Sequence, residues 1–524
     1  MAASRRSPVL RPDGQAPVAS GLPRPPPPGR LTRPQSKGGS AMEPLGAARL
    51  RVSRRTALRS VAGVAGAVAV SSLATACGPQ AAAPTKVPVI FTLVWRPWYN
   101  FPNGTSASAM SLYQEGIRPW LDKHRGVRVQ ISTMGYQTAT IAAMLAGAGP
   151  DVFEDWVLPP YIEQNLVYNF EPYLRQENIN TSLFPKGEMD FFYSAGHFNS
   201  KGGLYCLPAY IHTLAMAVNE DVLDTLGQTY PQPDWTYRQW SNLWLSTTVK
   251  SPDAAKQRYG GQLYWGGYDY HGSNPSPFYL KGFGGGYVDP SDPTKCILDH
   301  PGSIACLEWA YGLHQEQAIG YGNFALGQQV TQPRGTAGGL PYSVTAWKGI
   351  KWNLYPMPVW PKGRYTFAAS DFYAIYNGTK RPDIAWSFLK FLCVDTHWQR
   401  FMMRMALNGP NQGRLYPEWA RVVQSVAPPL RGKNLNVIVQ AVQQNEPYFG
   451  HSFEYNDLAS AEAINRYTGL ALSQKMSVTT ATREATRVVN ALQKAGRTTT
   501  SSSSRFAHAF APKGPMIAKV QPGL

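Results

Sequence analysis

Val89-Ile90-Phe91-Thr92-Leu93-Val94-Trp95 is almost continuously apolar and built from β-branched and aromatic residues. Such a run reads as a strand buried on both faces, as in a parallel sheet covered by helices. Downstream, Met110, Tyr113, Ile117, Trp120 and Leu121 recur at helical spacing, with Pro119 expected to kink or break the helix. Val127 to Ile131 alternates as a second strand. Thr138 to Leu145 reads as a short helix ended by Gly147, and Gly149-Pro150-Asp151-Val152-Phe153 opens a third strand after a turn. Strand, helix, strand, helix, strand in this order is the signature of right-handed βαβ units and an α/β lobe.

The segment from about residue 85 to 496 is too long for one core and predicts two domains. The formal charge of +18 suggests a nucleic-acid binder, but its distribution excludes that class. Residues 1–76 hold 12 Lys/Arg and two Asp/Glu, and the tail after Gly496 adds four cations, which leaves +4 on the intervening chain. No basic stripe remains there for a phosphate backbone. Beyond Cys77 four cysteines follow, Cys206, Cys296, Cys306 and Cys393, without the close spacing of a zinc or redox site. Cys296 and Cys306 fit either a disulfide or two small buried residues. All 15 tryptophans lie after residue 77, most of them expected in the core. Aromatic rings in loops would also suit the faces of sugars.

A set of landmarks then follows in order. Gly149-Pro150-Asp151-Val152 comes first, followed by Lys201-Gly202-Gly203-Leu204-Tyr205-Cys206-Leu207-Pro208. Asn219-Glu220-Asp221-Val222-Leu223, Tyr230-Pro231 and Asp234-Trp235-Thr236-Tyr237 come next, and Arg381-Pro382-Asp383-Ile384-Ala385-Trp386-Ser387-Phe388-Leu389-Lys390-Phe391-Leu392 is the last. The set resembles the extracellular solute-binding proteins of the maltose-receptor type, the capture subunits of ABC importers, over roughly residues 86–496. Local chemistry agrees: Pro382 suits a first helical turn, and Ala385, Phe388, Leu389 and Leu392 form one apolar stripe. Ser477 is a candidate N-cap for a closing helix with Val478, Ala481, Ala485, Val488 and Leu492 on one face, stopped by Gly496. Between Phe324-x-x-Gly327 and Trp347 the chain departs from the family pattern.

The resemblance implies a periplasmic-binding-protein-like fold of type II, two discontinuous α/β lobes with a hinge and an interdomain cleft. The first lobe would hold 86–211 and 354–395, the second 212–353 and 396–496, with crossings near Ile211, Leu354 and Val394. Residues 497–524, which include the Thr498 to Ser504 run, are expected to be a disordered tail.

The N-terminal region reads as an export address. Arg54-Arg55 precedes a short apolar run from Val61 to Val70, and small residues lead to Cys77. The pair resembles a twin-arginine signal and the run before Cys77 a lipobox, although Ala57 and Ala74 stand where larger apolar residues are usual. The apolar run is too short to span a bilayer. This predicts a signal at 42–77, a linker at 78–85, lipidation of Cys77 and a mature protein tethered outside the cytoplasm. Residues 1–41, rich in Pro and Arg, are expected to be an extension of the gene reading, with Met42 the true start.

Enzyme signatures are missing from the sequence. It has no Gly-x-Ser-x-Gly elbow, no His-Glu-x-x-His and no Gly-x-x-x-x-Gly-Lys. His124, His300 and His314 lack ligand spacing. Glu154 and Asp155 are neighbours on a strand and face opposite ways, so they do not form an acid–base pair.

Loops at the carboxyl ends of parallel strands face such clefts. This nominates Trp95, Arg96 and Trp98 after the first strand, and Asp155 and Trp156 after the third. By position in the family, Tyr210 and His212 sit at the first crossing, Ser370, Asp371 and Phe372 at the return, and Tyr264, Trp265, Asp269 and Trp347 on the second lobe. Each has an ordinary alternative. The aromatic rings can pack in the core, the aspartates can cap helices, and Arg96 can pair with one of them. The expected function is capture of a sugar or oligosaccharide, without cofactor or metal, by a monomer that presents its closed form to a permease. A receptor for a non-sugar solute or a sensor kinase, or an exported hydrolase, is the alternative.

Overall fold

The protein is described here by a computed structural model covering residues 87–94, 111, 113–134, 137–196, 203–264, 275–336, 340, 346–406, 408–451 and 453–507. All of these lie in the second of two compact units, Ala82–Leu524. Cys77 and the preceding export segment lie outside the described residues.

The opening βαβ units form as their periodicity predicts. Strand β1 (Val87–Val94) pairs in parallel with β2 (Val127–Met134) from Val87↔Val127 to Val94↔Met134, and with β3 (Val152–Asp155) through Phe91↔Val152. Helix α1 (Arg118–Lys123) precedes β2, and α2 (Gln137–Leu145) connects β2 to β3. Pro119 sits in the first turn of α1, where its missing N–H is not needed, so it opens that helix rather than kinking it. Gly147, at φ +75°, ends the chain's turn after α2 in the left-handed region that glycine alone enters freely.

The chain continues through α3 (Pro159–Glu163), α4 (Glu171–Gln176) and α5 (Lys186–Gly196) into β4 (Leu207–Asn219). Then come α6 (Glu220–Thr225), α7 (Tyr237–Thr247), α8 (Pro277–Phe283), β5 (Val288–Asp289), β6 (Asp292–Cys296) and α9 (Pro301–Gln315). The next elements are β7 (Thr331–Gly335), β8 (Trp352–Tyr355), β9 (Val359–Trp360), β10 (Gly363–Arg364) and β11 (Thr366–Ile375). The chain closes with α10 (Pro382–Cys393), α11 (Thr396–Ala406), α12 (Tyr416–Val426), α13 (Asn436–Gln443), β12 (Pro447–Tyr448), α14 (Asp457–Leu472) and α15 (Val478–Ala507).

One eight-stranded sheet runs in the order β2-β1-β3-β11-β4-β7, with β12 added to β11 and β8 to β4. Its long members β4 and β11 are antiparallel to each other, and β11 is antiparallel to β3. They carry the chain between two hydrophobic cores. One gathers residues from Val89 to Ile211 with the stretch from Phe372 to Phe449 and with Phe324, Leu340, Trp347, Trp352 and Leu354, and the other takes most of the buried residues from Leu214 to Trp360 with Phe453 to Val489. On the distal half of β4 the two faces serve different cores. Leu214, Met216 and Val218 belong to the second, and Ala215 and Ala217 to the first. The period of two makes this partition automatic. Residue 396, expected to begin the second lobe's return, marks no change of core, because Trp398 to Phe449 pack with the first.

Local signals place the flanking helices. Thr236 and Gln239 form a reciprocal capping box at the start of α7, which turns Trp240 and Trp244 into the second core. In α10, Pro382 lies in the first turn and Ala385, Phe388, Leu389 and Leu392 are all fully buried. Ser477 accepts a hydrogen bond from Thr480 N at 3.2 Å, the expected cap of α15.

One expectation needs correction, and one open alternative is resolved. Gly496 does not stop α15, which continues to Ala507, so the tail expected to be disordered from 497 is helical for its first turns. A Cβ at Gly496 would stand 2.4 Å from Tyr455 Cβ, so the glycine permits close packing rather than an ending. Cys296 and Cys306 are not bridged. All four described cysteines are free and buried.

Candidate functional site

The carboxyl end of β3 and the β4–β11 ladder bring six of the nominated residues together, Asp155, Trp156, Tyr210, His212, Ser370 and Asp371. Register sets Phe372 opposite Asp155 and Asp371 opposite Tyr210, with an irregularity between Asp371 and Phe372. His212 lies opposite Ala369 and reaches diagonally, so that its Nε2 is 3.0 Å from Asp371 Oδ2. The Asp371 side chain is 1 % exposed and that of His212 13 %, so the pair is shielded but not sealed. His212 Nδ1 is buried and has no hydrogen-bond partner among the described residues.

Around this pair the polar groups are densely buried. Tyr210 Oη lies 3.4 Å from Tyr113 Oη, and its ring stands 6.1 Å from that of His212. Burial raises the Tyr113 hydroxyl well above the usual phenol range, and the nearby Glu154 carboxylate adds to the effect. Glu154 and Asp155 diverge as strand neighbours must, because Glu154 acts on Tyr113 while Asp155 accepts from Tyr161 Oη at 2.5 Å. Asp155 also accepts from Trp156 N at 2.6 Å, so it fixes the turn that presents the half-buried Trp156. Ser370 donates to the Asp371 carbonyl at 2.9 Å. On α5, burial lifts the Glu188 carboxyl to about 8, and the Ser370 hydroxyl offsets part of that.

The other nominated residues fall elsewhere. Phe372 is fully buried, with Phe153 and Phe192 edge-on to its ring. Trp347, expected on the second lobe, instead packs in the first core; it is 5 % exposed and lies on Phe324 at 4.2 Å, with the Arg334 guanidinium 5.3 Å from its ring. Tyr264 is half-buried in the second lobe, its ring 4.6 Å from Phe367 and its N–H donating to Tyr279 Oη at 3.0 Å. Trp95, Arg96, Trp98, Trp265 and Asp269 lie outside the described residues. Sequence reasoning also missed Tyr113, which contacts Tyr210 from a segment read only as a helix face. A groove of about 1060 Å³, lined by none of the described nominated residues, is bordered by Asp190 and Tyr193 of α5 and by Lys281, Tyr448 and His451.

Among the described residues no cluster of His, Cys, Asp or Glu is arranged to hold a metal ion. No helix there is long and apolar enough to cross a membrane. What remains is a pair of strands that joins two cores and carries an imidazole–carboxylate pair at the crossing, an arrangement suited to hydrogen bonding a polar solute.

Comparison with known proteins gives the same picture. No curated protein matches the sequence. An ABC substrate-binding protein from Listeria monocytogenes in complex with cycloalternan superposes with a TM-score of 0.60 at 13 % identity, over 77 % of this chain and 98 % of that one. The cyclic α-maltosyl-1,6-maltose binding protein from Arthrobacter globiformis gives 0.59 at 15 %, over 78 % and 100 %. A solute-binding protein from Thermotoga lettingae bound with α-D-tagatose gives 0.56 at 15 %, over 78 % and 100 %. At such identities the likeness is one of fold, and it spans nearly the whole of each neighbour. The family model for bacterial extracellular solute-binding proteins matches residues 103–393, more than half of the chain and a span that includes β3, β4 and β11. Two α/β lobes joined by those strands, with this match across them, make the chain a member of the bacterial extracellular solute-binding protein family.

Proposed function

We propose that the protein captures a carbohydrate between its two lobes and presents the closed form to the membrane subunits of an ABC importer. The observation that carries this reading is the His212–Asp371 pair on the crossing strands, with a buried imidazole nitrogen left unpartnered among the described residues. When Nε2–H donates to the carboxylate, Nδ1 becomes an acceptor for a ligand hydroxyl. Asp155, Trp156, Tyr210 and Ser370 are assigned to the same site. Trp95, Arg96, Trp98, Trp265 and Asp269 are assigned to its loops, and Phe372, Trp347 and Tyr264 to its supporting shell. The sugar-binding neighbours support a saccharide over other solutes. Ligand contacts made from both lobes exist only when the lobes are closed, so binding shifts an open–closed equilibrium.

The lobes are assigned as 86–211 with 354–395 and 212–353 with 450–496, and residues 396–449, whose apolar side chains pack with the first core, are assigned to the first lobe. The family is one of exported proteins. Cys77 is assigned as a lipidated anchor behind a twin-arginine signal, the mature protein as a monomer, and the activity as binding without turnover.

Thermal melting and tryptophan fluorescence against a panel of sugars, polyols, peptides and phosphorylated compounds test this reading. A saccharide at about a hundred times its Kd should stabilise the protein by about 2.7 kcal/mol and be recovered unchanged. A shift with a peptide or cation alone would overturn the ligand class, and conversion of the ligand would overturn the binding role.

A further inference from the structure

Tyr321, between Gly320 and Gly322, is 70 % exposed although the chain on both sides of it is held fast. The side-chain amide of Gln329, itself 1 % exposed, clamps both flanking glycines. Its Nε2 donates to Gly320 O at 3.0 Å, and its Oε1 accepts from Gly322 N at 3.0 Å. Neither glycine tolerates a side chain. A Cβ at Gly320 would stand 2.4 Å from the Tyr259 ring, and one at Gly322 2.3 Å from Gln328 O. A large amphipathic ring on so fixed a backbone is a preorganised contact surface, with little ordering cost left for binding.

Its position gives that surface a direction. Gly261 and Ile319 form a parallel bridge, and Gly261 N donates to Ala318 O at 2.9 Å while Gly320 N donates to Gly261 O at 3.1 Å. Two residues further along the same parallel segments are Leu263, next to Tyr264, and Tyr321. Tyr321 and Tyr264 therefore leave this bridge in the same direction, at the carboxyl side of two parallel segments. The Tyr321 phenol also lies within electrostatic reach of the Tyr264 and Tyr279 hydroxyls, adding to the effect of burial on both.

We propose that Tyr321 is a ligand platform on the rim of the second lobe, stacking on one ring of an oligosaccharide that also engages the buried His212–Asp371 pair. The proposal rests on the saccharide reading above and extends it, since a second contact point favours an oligosaccharide over a single sugar. Leu326, 74 % exposed on the same loop, leaves a permease contact as the competing use of this surface.

The test is calorimetric titration of the full chain with maltotriose and mannotriose and with the corresponding monosaccharides. Wild type, Tyr321→Ala and Tyr321→Phe are compared. For a trisaccharide that wild type binds, Tyr321→Ala should weaken Kd about fivefold to tenfold, and Tyr321→Phe, which keeps the ring, should stay within about twofold. Melting of the unliganded variants should match wild type, because the side chain is exposed. Unchanged trisaccharide affinity in Tyr321→Ala would overturn the platform while leaving the saccharide reading intact. Wild type that binds no saccharide would overturn both.

Discussion

His212 Nε2 and Asp371 Oδ2 meet 3.0 Å apart on a diagonal of the β4–β11 ladder, whose register sets Asp371 opposite Tyr210 and His212 opposite Ala369. The contact ties together the two strands on which the chain passes between the cores. It therefore joins a polar group suited to a ligand with the part of the fold that must bend when the lobes close.

Replacing His212 by Ala takes a hydrogen-bonding partner from a nearly fully buried carboxylate. His212→Ala should lose about 2 kcal/mol in urea unfolding and weaken saccharide binding by at least about tenfold. An unaltered Kd in a folded variant would remove His212 from the site.

Glu188 faces Ser370, and its charge would act on Cys206, Cys393 and Tyr416. Its folded value, about 8, lies above the usual carboxyl value, so the folded state holds a proton that the unfolded chain releases. Its contribution to stability is therefore fully present below about pH 4.5 and falls as pH rises towards about 8, at up to about 1.4 kcal/mol per pH unit. Glu188→Gln should flatten that slope in denaturation series across this range. A slope equal to wild type would show that Glu188 ionises inside the fold at no cost.

Gln329 holds the backbone on both sides of Tyr321, and its amide also donates to Thr331 O at 3.3 Å. Gln329→Leu keeps the bulk but strands these buried backbone groups, for a loss of about 2 kcal/mol or more. Hydrogen exchange should quicken first at Gly322 N. Exchange spread evenly over the chain would argue against a local clamp.

Cys296 and Cys306 are separate buried thiols, and burial raises both above the usual thiol range. Both should resist alkylation in the native protein and react completely on unfolding without reductant. Recovery of a peptide pair linked through these residues would contradict the structure.

Much of the fold was legible because burial imposes a period. The stripe of α10 and the cap at Ser477 each state one local requirement, and each is met, whereas the run at Val89 forms its strand with Ile90 37 % exposed rather than with both faces buried. Gly496 was misread because a glycine that ends a helix and one that admits a neighbour look alike until Tyr455 is placed beside it. Trp347 illustrates a similar limit. An aromatic side chain announces a large apolar surface but not whether Phe324 or solvent will meet it. The Gln329 clamp had no sequence signal, since it depends on an amide reaching back seven residues to a particular peptide group.

The interleaving of the two cores also bears on how the protein is made. The first core needs side chains as late as Phe449, and the second draws on residues from Leu214 to Val489. As the chain emerges from the ribosome, neither can close until most of it is present, and long-range strand pairing such as β4 with β11 must wait for about 150 residues of intervening chain. The nascent protein therefore exposes sheet edges and apolar faces through most of its synthesis. A truncated product ending before β11 would be a substrate for chaperones and proteases rather than a folded half.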